Sequence, residues 1–394
     1  MAQNTLLAPA EISRVGAVQI SNNLVFARLA NKAYKEDFTV KIGQTISYRL
    51  PVQFTAVKAT GLQVQGVNEQ YGQITINTPG QVAWEFSDAD LNLTIDQYDE
   101  RYTTPGGIAL AQQMDGDGAA LASTVYNAVN PALSSFTFAV MQQAKQFMDE
   151  FAVPMNMRYF ALSPAVEYAL QTGSTGNLLS FFTPSDVFKD IVGEAALGRL
   201  VGADGYMSQN IAFHTSGTLN VSTAAVAVNS ANGDTQISLT DSSTTTLLNG
   251  DIITFSGVNA VNPKSGASLG RLRQFVVVGN YNLTSVATLV TISPSIISSG
   301  PYQTVSALPT TASTLTIIAS HNESLMWQKD AFALVSVPPP LRRSQTFCQI
   351  LESQGVGMRF MLVFDVTNDI EIARMDVLYG WQTIYPNFAV RICT

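Results

Sequence analysis

Charged side chains are scarce in this sequence. Asp, Glu, Lys and Arg together make up 13% of its 394 residues, about half of the ~25% that is usual for soluble domains. A lone soluble protein needs surface charge to stay dispersed. The shortage therefore suggests a protein whose surface meets other subunits, although extracellular β-proteins can share this composition.

The sequence also lacks the features of several functional classes. Its net charge of −8 argues against a nucleic-acid reader, which needs a basic surface to neutralise phosphates. Its two cysteines, Cys348 and Cys393, cannot build a disulfide framework and are expected to be small buried hydrophobes. The N-terminal residues predict no signal peptide, and no apolar run approaches the ~20 residues of a membrane span. We therefore expect synthesis and folding in a cytoplasm.

Residues for catalysis or metal binding are equally sparse. Only His214 and His321 could supply an imidazole, and neither lies in a local cluster of Cys or acidic residues. Motifs for phosphate, dinucleotide and zinc binding and for a nucleophile elbow are absent. Asp115-Gly116-Asp117-Gly118 imitates the start of a calcium loop but lacks the later ligands, so we expect a kinked or locally opened helix there. The sequence predicts no enzyme, no cofactor and no metal.

The first third of the chain changes from helical to strand patterns and back. Residues 9–34 have apolar positions at helical spacing and predict one amphipathic helix. Residues 38–95 alternate with period two and predict one long, irregular hairpin. Such a charge-poor ribbon would have sticky edges, so we expect something to cover it. Thr103-Thr104-Pro105 predicts the start of a helix that runs to about Val129.

Residues 131–215 mix helical and strand patterns. Ser134-Ser135 and Thr183 each predict the start of a helix, and Arg158–Leu162 predicts a strand between them. Together with the preceding helix, these elements predict a mixed α/β body over residues 96–214, to which the residues after His321 return.

At Ser216 the composition shifts sharply, because Ser, Thr, Val, Asn, Gly and Ala dominate residues 216–320. Between Gln274 and Ser320 there is no charged residue at all. Short strands at regular spacing predict an all-β module, a small barrel or sandwich, inserted into the α/β body. They are predicted at Thr235–Leu239, Asp251–Phe255, Gln274–Val278, Thr288–Ile292 and Leu315–Ile318. Since an insert needs neighbouring entry and exit points, we expect His214 and His321 to lie close together.

The order of these parts resembles the Johnson fold of tailed-phage capsid proteins, and the inserted β-module is similar to that of coat proteins from short-tailed bacteriophages (podoviruses). Four sequence phrases carry this resemblance in order: Thr45–Val52, Gly250–Val258, Asp330–Pro338 and Leu378–Trp381. The resemblance covers nearly the whole chain.

The resemblance implies an α+β fold of seven segments. They are an N-terminal arm (1–37), an E-loop hairpin (38–95), the spine helix of a P-domain (96–130), the first part of an A-domain (131–215), an inserted barrel-like β-domain (216–320), the second part of the A-domain (321–357) and P-domain return strands (358–394). It also implies a major capsid protein, not an enzyme, that assembles as pentamers and hexamers into an icosahedral shell around double-stranded DNA.

The resemblance further implies partners and contact residues. A scaffolding protein and a portal protein are expected partners, and a decoration protein is an optional further one. Packaged DNA would contact the inner face of the shell without sequence-specific binding. The E-loop would lie across a neighbouring subunit, which would cover the hairpin. We predict as interaction residues Glu11, Glu36, Asp37, Arg49 and Lys58, the three acids facing a basic scaffold segment.

Two other classes stay open. A tail-associated or cell-surface β-protein would explain the Ser- and Thr-rich module but leaves the helical parts unexplained. A hydrolase with an accessory β-domain would need a polar constellation that the sequence does not show.

Overall fold

The computed structural model describes residues 8–34, 44–54, 61, 62, 64, 66, 69–87, 99–130, 133, 136–172, 198–341, 347–365, 367 and 370–394. The chain divides into two compact units. The first is drawn from the segments up to Arg49, from Tyr71 to Gly118 and from Phe332 to Ile384. The second is drawn from Leu50–Gln70, Ala119–Ala331 and Tyr385–Thr394.

The N-terminal segment of the first unit forms two helices, α1 (Ala8–Asn23) and α2 (Phe26–Leu29). The prediction of one helix over 9–34 is therefore wrong at its centre. The chain breaks at Leu24 and Val25 because the first backbone N–H groups of α2 turn to the carboxylate of Asp115, with Ala27 N donating over 3.0 Å. A carboxylate at a helix start satisfies N–H groups that have no partner within the helix.

Helix α3 spans Thr104–Ala120 and follows a π-helical turn at Asp99–Thr103. It ends earlier than the predicted Val129, because a 3₁₀ turn (Leu121–Thr124) and the short strand β4 (Ala128–Val129) follow it. None of the described helices combines the length and the apolar character that a membrane-spanning helix requires.

The Asp-Gly-Asp-Gly sequence lies inside α3 as regular helix, so the expected kink is wrong. Asp115 is fully buried and holds the start of α2. Asp117 accepts a 2.6 Å hydrogen bond from the hydroxyl of Tyr379. Gly118 leaves room for the indole of Trp381, whose Cζ2 atom would lie 2.7 Å from an added Cβ. Three of the four residues that imitated a calcium loop, Asp115, Asp117 and Gly118, thus serve packing within the first unit.

The strands of the first unit form a hairpin and a five-stranded antiparallel sheet. The hairpin pairs β1 (Thr45–Arg49) with β2 (Tyr71–Thr75). The sheet has the order β18-β21-β20-β19, with β3 also paired to β21. Its strands are β3 (Thr78–Ser87), β18 (Phe332–Ser336), β19 (Phe347–Ser353), β20 (Val356–Asp365) and β21 (Ile370–Thr383).

The prediction of one long hairpin over 38–95 is wrong for its last part. Strand β3 pairs with β21 from Thr78↔Tyr379 to Ser87↔Ile370. Its apolar positions Val82 and Trp84 pack on the core of the first unit. That core contains Ile20, Leu24, Leu110, Met114, Phe360, Met375 and Tyr379. The burial of Val82 and Trp84 against this core explains why β3 leaves the hairpin.

The second unit contains a seven-stranded mixed sheet. Its order is β4-β22-β17-β5-β7-β6, with β8 paired to β17. The strands not yet given are β5 (Arg158–Leu162), β6 (Arg199–Leu200), β7 (Ala203–Met207), β8 (Phe213–His214), β17 (His321–Gln328) and β22 (Ala389–Cys393). Cys393 is buried in β22, whereas Cys348 of the first unit is only half-buried. The predicted strand β5 is confirmed.

Two helices pack with this sheet, α4 (Phe138–Glu150) and α5 (Pro164–Thr172). Helix α4 begins at Phe138 rather than at the predicted Ser134-Ser135, a pair that lies outside the described residues. The predicted helix start at Thr183 also lies outside them. The shared core contains Phe136, Met141, Phe147, Met148, Phe160, Leu162, Met326 and Ile392.

Residues 216–320 of the second unit form a β-module with its own core. A six-stranded sheet has the order β16-β12-β13-β15-β10-β9, and a small sheet pairs β11 with β14. The strands are β9 (Ala224–Val226), β10 (Asp234–Asp241), β11 (Thr245–Leu247), β12 (Ile252–Val261), β13 (Ser268–Val277), β14 (Tyr281–Leu283), β15 (Thr288–Ile296) and β16 (Leu315–Ile317). All five predicted strands are confirmed within a few residues. A bridge between Ala225 and Thr314 brings the two edges of the large sheet together, which curls it toward a barrel.

Candidate functional site

Exposed apolar side chains line the loop that connects β1 with β2. Phe54, Leu62 and Val64 are 64%, 91% and 85% exposed, and we call these three residues the apolar loop. Lys58 and Glu69 are the only charged residues between positions 50 and 70 of the sequence. Burying one such apolar side chain is worth about 1.5–3 kcal/mol, so this loop is a ready contact surface for another molecule.

The structure does not bring the predicted interaction residues together as one site. Arg49 is the last residue of β1 and is exposed. Glu11 lies in helix α1. Glu36, Asp37 and Lys58 lie outside the described residues. The roles of all five residues stay predictions.

The two histidines meet where the chain enters and leaves the β-module. His214 of β8 pairs with His321 of β17, and their ring centroids lie 5.3 Å apart. The predicted proximity is confirmed. His214 Nε2 lies 2.9 Å from Oδ1 of Asp251, a fully buried carboxylate. The same carboxylate accepts hydrogen bonds from the backbone N–H of Gly217 (3.1 Å) and of Leu248 (2.7 Å), so it joins the module's entry to the turn before β12.

His321 is a neutral, buried side chain. It is 2% exposed, and its Nδ1 lies 2.7 Å from the carbonyl oxygen of Ala319. Its Nε2 has no hydrogen-bond partner among the described residues. Burial lowers the pKa of His321 to about 4, and the nearby positive charge of Arg391 acts in the same direction. The imidazole therefore carries no charge at neutral pH.

Arg391 completes this polar group from β22. Its fully buried guanidinium donates to the carbonyl oxygen of Val125 over 2.9 Å and to Oε1 of Glu323 over 2.7 Å. A third hydrogen bond, of 3.3 Å, reaches the carbonyl oxygen of Ser123. Burial raises the pKa of Glu323, and Arg391 opposes that rise. Breaking a buried pair of this kind leaves an uncompensated charge. We call His214, Asp251, His321, Glu323 and Arg391 the hinge cluster.

The hinge cluster joins chain segments through hydrogen bonds. In the described part of the chain, no three His, Cys, Asp or Glu side chains gather as metal ligands would. Sequence reasoning found the two histidines but missed Asp251, Glu323 and Arg391. A signal existed for Arg391, because it is the only charged residue in the otherwise apolar strand Ala389–Cys393 and so needs a partner when buried.

Comparison with solved structures finds chains from phages that match over most of their length. A structure from Mycobacterium phage Che8 matches with a TM-score of 0.50 and 13% identity, covering 94% of this chain and 90% of the other. The capsid structure of Cyanophage P-SCSP1u matches with a TM-score of 0.47 and 13% identity, covering 94% and 88%. The mature capsid of bacteriophage PhiM1 matches with a TM-score of 0.46 and 11% identity, covering 94% and 86%.

The sequence was also compared with curated proteins and with protein-family models. A search of curated proteins finds no relative. A scan against protein-family models matches residues 17–392 to the model described as "P22 coat protein - gene protein 5". The match includes segments of both units and the whole β-module of the second unit. The chain therefore belongs to the P22 coat protein family.

Proposed function

We propose that this coat protein joins its neighbours through the apolar loop, which in the assembled shell lies across an adjacent subunit. The observation that carries the proposal is the exposure of Phe54, Leu62 and Val64 in a segment with almost no charge. A lone subunit would keep this apolar surface in water at a cost in free energy. A neighbouring subunit is the one partner that a shell always supplies.

As a member of this family, the chain is a major capsid protein, a structural component that forms the icosahedral shell of the virion. Its fold is a capsid-protein fold with mixed sheets and few helices. The alternative function as a tail-associated or cell-surface β-protein is not favoured by the family match.

The same proposal assigns each segment of the chain to a part of the capsid-protein fold. Residues 1–37 act as the N-terminal arm, 38–95 as the E-loop region, 96–130 as the spine-helix segment, 131–215 and 321–357 as the A-domain, 216–320 as the inserted β-domain and 358–394 as return strands. Support comes from helix α3 within 96–130 and from the separate core of the β-module. The last strand, β22, pairs with β17 and β4 in the second unit, so this segment contributes to two sheets.

Assembly partners complete the proposal. Subunits join as pentamers and hexamers in the host cytoplasm with a scaffolding protein, and a portal protein closes the shell that receives double-stranded DNA. The net charge of −8 supports this order of events, because an acidic subunit repels phosphates and does not trap nucleic acid before packaging. Weak contacts multiplied over a closed shell give a stable container.

Expression of the chain with and without a candidate scaffolding protein tests the proposal. We expect wild-type protein to yield shells by sedimentation and negative-stain microscopy. Leu62→Ser/Val64→Ser should keep the circular dichroism spectrum of the wild type but reduce the yield of shells at least tenfold, since each lost apolar contact costs about 1.5–3 kcal/mol.

Met155→Ser is the matched control, because Met155 is 72% exposed outside the loop. It should assemble as the wild type does. Small monomers under every condition would contradict the shell assignment, whereas normal shells from the loop variant would contradict only the role of the apolar loop.

A further inference from the structure

Strand β13 of the β-module presents two arginines to helix α4. Arg271 and Arg273 are two residues apart, so their side chains lie on the same face of the strand. The guanidinium of Arg271 lies 3.9 Å from the ring centroid of Phe147 and 4.9 Å from that of Phe151. Its Nε also donates to Oε2 of Glu150 over 2.8 Å. Arg271 is thus bound to α4 by an ion pair and by stacking.

Arg273 is buried more deeply and with fewer polar contacts. It is 3% exposed, and its guanidinium lies 4.5 Å from the ring centroid of Tyr126 and 5.1 Å from that of Phe151. Among the described residues, Nε has no hydrogen-bond partner and no carboxylate forms an ion pair with this side chain. A buried cation is costly. The faces of the two aromatic rings and a hydrogen bond with the Tyr126 side chain offset that cost.

Two amide side chains of the module extend this contact. Gln274 accepts a hydrogen bond from the backbone N–H of Ala128 over 2.8 Å and donates to its carbonyl oxygen over 2.7 Å. Asn262 donates to the carbonyl oxygen of Glu150 over 3.1 Å. We call Asn262, Arg271, Arg273 and Gln274 the latch.

The latch and the hinge cluster attach the module at different places. The hinge cluster includes the residues where the chain enters and leaves the module. The latch lies on β13 and on the turn between β12 and β13, in the middle of the module's sequence. Apolar contacts also join the module to this part of the body, since Ile252 and Val276 pack with Tyr126, Ala128 and Cys393. The hydrogen bonds of Asn262 and Arg271 to Glu150 add a polar attachment to α4, which resists rotation of the module about the chain crossing.

We infer that the latch positions the β-module on the body formed by α4 and the seven-stranded sheet, and that this orientation sets the angle at which subunits meet in the shell. The second half of the inference rests on the proposed function. Strand β12 has ten residues, which corresponds to about 33 Å, so a tilt of about 10° at its base displaces its far end by roughly 6 Å. A displacement of that size breaks side-chain contacts between neighbours, and repeated contacts close a shell only at a fixed angle.

Assembly and hydrogen exchange of latch variants test this inference. In Arg271→Ala/Arg273→Ala we expect the amides of α4 and β13 to exchange at least tenfold faster, while those of β10 and β15 keep their protection. The particles should become heterogeneous in diameter by negative-stain microscopy. As a single variant, Arg273→Met can pack on the same two rings without a charge. It should therefore show the slow exchange and the uniform particles of the wild type.

Arg199→Ala is the matched control, because Arg199 forms an exposed ion pair with Asp204 elsewhere in the second unit. It should behave as the wild type. Uniform particles and unchanged exchange in the double variant would overturn the inference. A loss of protection in β10 and β15 would also overturn it, because the arginines would then maintain the module's fold and not its orientation. If wild-type protein forms no shells, the proposed function fails instead, and the exchange data alone decide whether the latch holds the module.

Discussion

Replacing His321 by Asn should remove a pH dependence of stability from the second unit. His321 is buried beside His214, Asp251, Glu323 and Arg391, and its Nδ1 is hydrogen-bonded to the carbonyl oxygen of residue 319. An Asn amide can donate the same hydrogen bond but does not titrate. The variant therefore isolates the effect of the imidazole's protonation.

The size of the effect follows from the two pKa values. Burial lowers the pKa of His321 from 6.5 in the unfolded chain to about 4 in the folded one. Between these values the unfolded chain binds a proton that the folded chain does not, so the free energy of unfolding decreases as the pH falls. One pH unit of difference is worth about 1.4 kcal/mol, which gives a full effect of about 3 kcal/mol. This stability is complete above pH 6.5 and is lost progressively toward pH 4.

Urea denaturation from pH 7.5 to 4.5 measures this difference. Tryptophan fluorescence follows unfolding. Trp327, which is 1% exposed and lies in the same strand as His321, contributes the signal of this unit, and Trp84 and Trp381 contribute that of the first unit. Relative to His321→Asn, the wild type should lose about 1.4 kcal/mol per pH unit below pH 6.5. The raised pKa of Glu323 gives an opposite slope at the acidic end, but it is present in both proteins and cancels. Parallel curves for the two proteins would refute a depressed pKa at His321.

Three further predictions concern single packing or hydrogen-bond contacts. Gly118→Ala should lower the free energy of unfolding by about 1–3 kcal/mol, because the added Cβ would lie 2.7 Å from the indole ring of Trp381. Gly116→Ala has open space around the added Cβ and should leave the free energy of unfolding unchanged. Equal melting temperatures of the two variants would contradict this. Asp115→Ala should cost about 2–4 kcal/mol in thermal unfolding by leaving the N–H groups at the start of α2 without an acceptor, and a cost below 1 kcal/mol would be too small for this role. Glu323→Gln should cost about 3–5 kcal/mol by leaving Arg391 buried and uncompensated; a neutral result in urea denaturation would show that the pair is dispensable.

The strands of the β-module were predictable because their signal is local. Period-two patterns such as Thr288–Ile292 contain the information for a strand within a few residues. The pairing of β3 with β21 was not predictable in this way, because it joins residues nearly three hundred positions apart, such as Ser87 and Ile370. The break at Leu24 and Val25 was missed for the same reason, since its cause, Asp115, lies far away in sequence.

The candidate sites show the same difference between what topology or local sequence predicts and what depends on distant residues. The meeting of His214 and His321 followed from the topology of an insertion, without knowledge of any side-chain contact. The latch was missed although Arg271 and Arg273 stand two apart in a strand, a spacing that puts both charges on one face. Only the aromatic rings of Tyr126 and Phe151, supplied by distant segments, show why that face is buried.

Hydrogen exchange of the loop in assembled shells and in dissociated subunits tests the central claim most directly. The claim is that neighbouring subunits cover apolar surface that a single coat protein leaves exposed, and that the apolar loop makes this contact. Phe54, Leu62 and Val64 are exposed in the single subunit, so we expect peptides from residues 50–70 to exchange at least tenfold more slowly in shells. Equal exchange in shells and subunits would show that no neighbour covers the loop and would contradict the account.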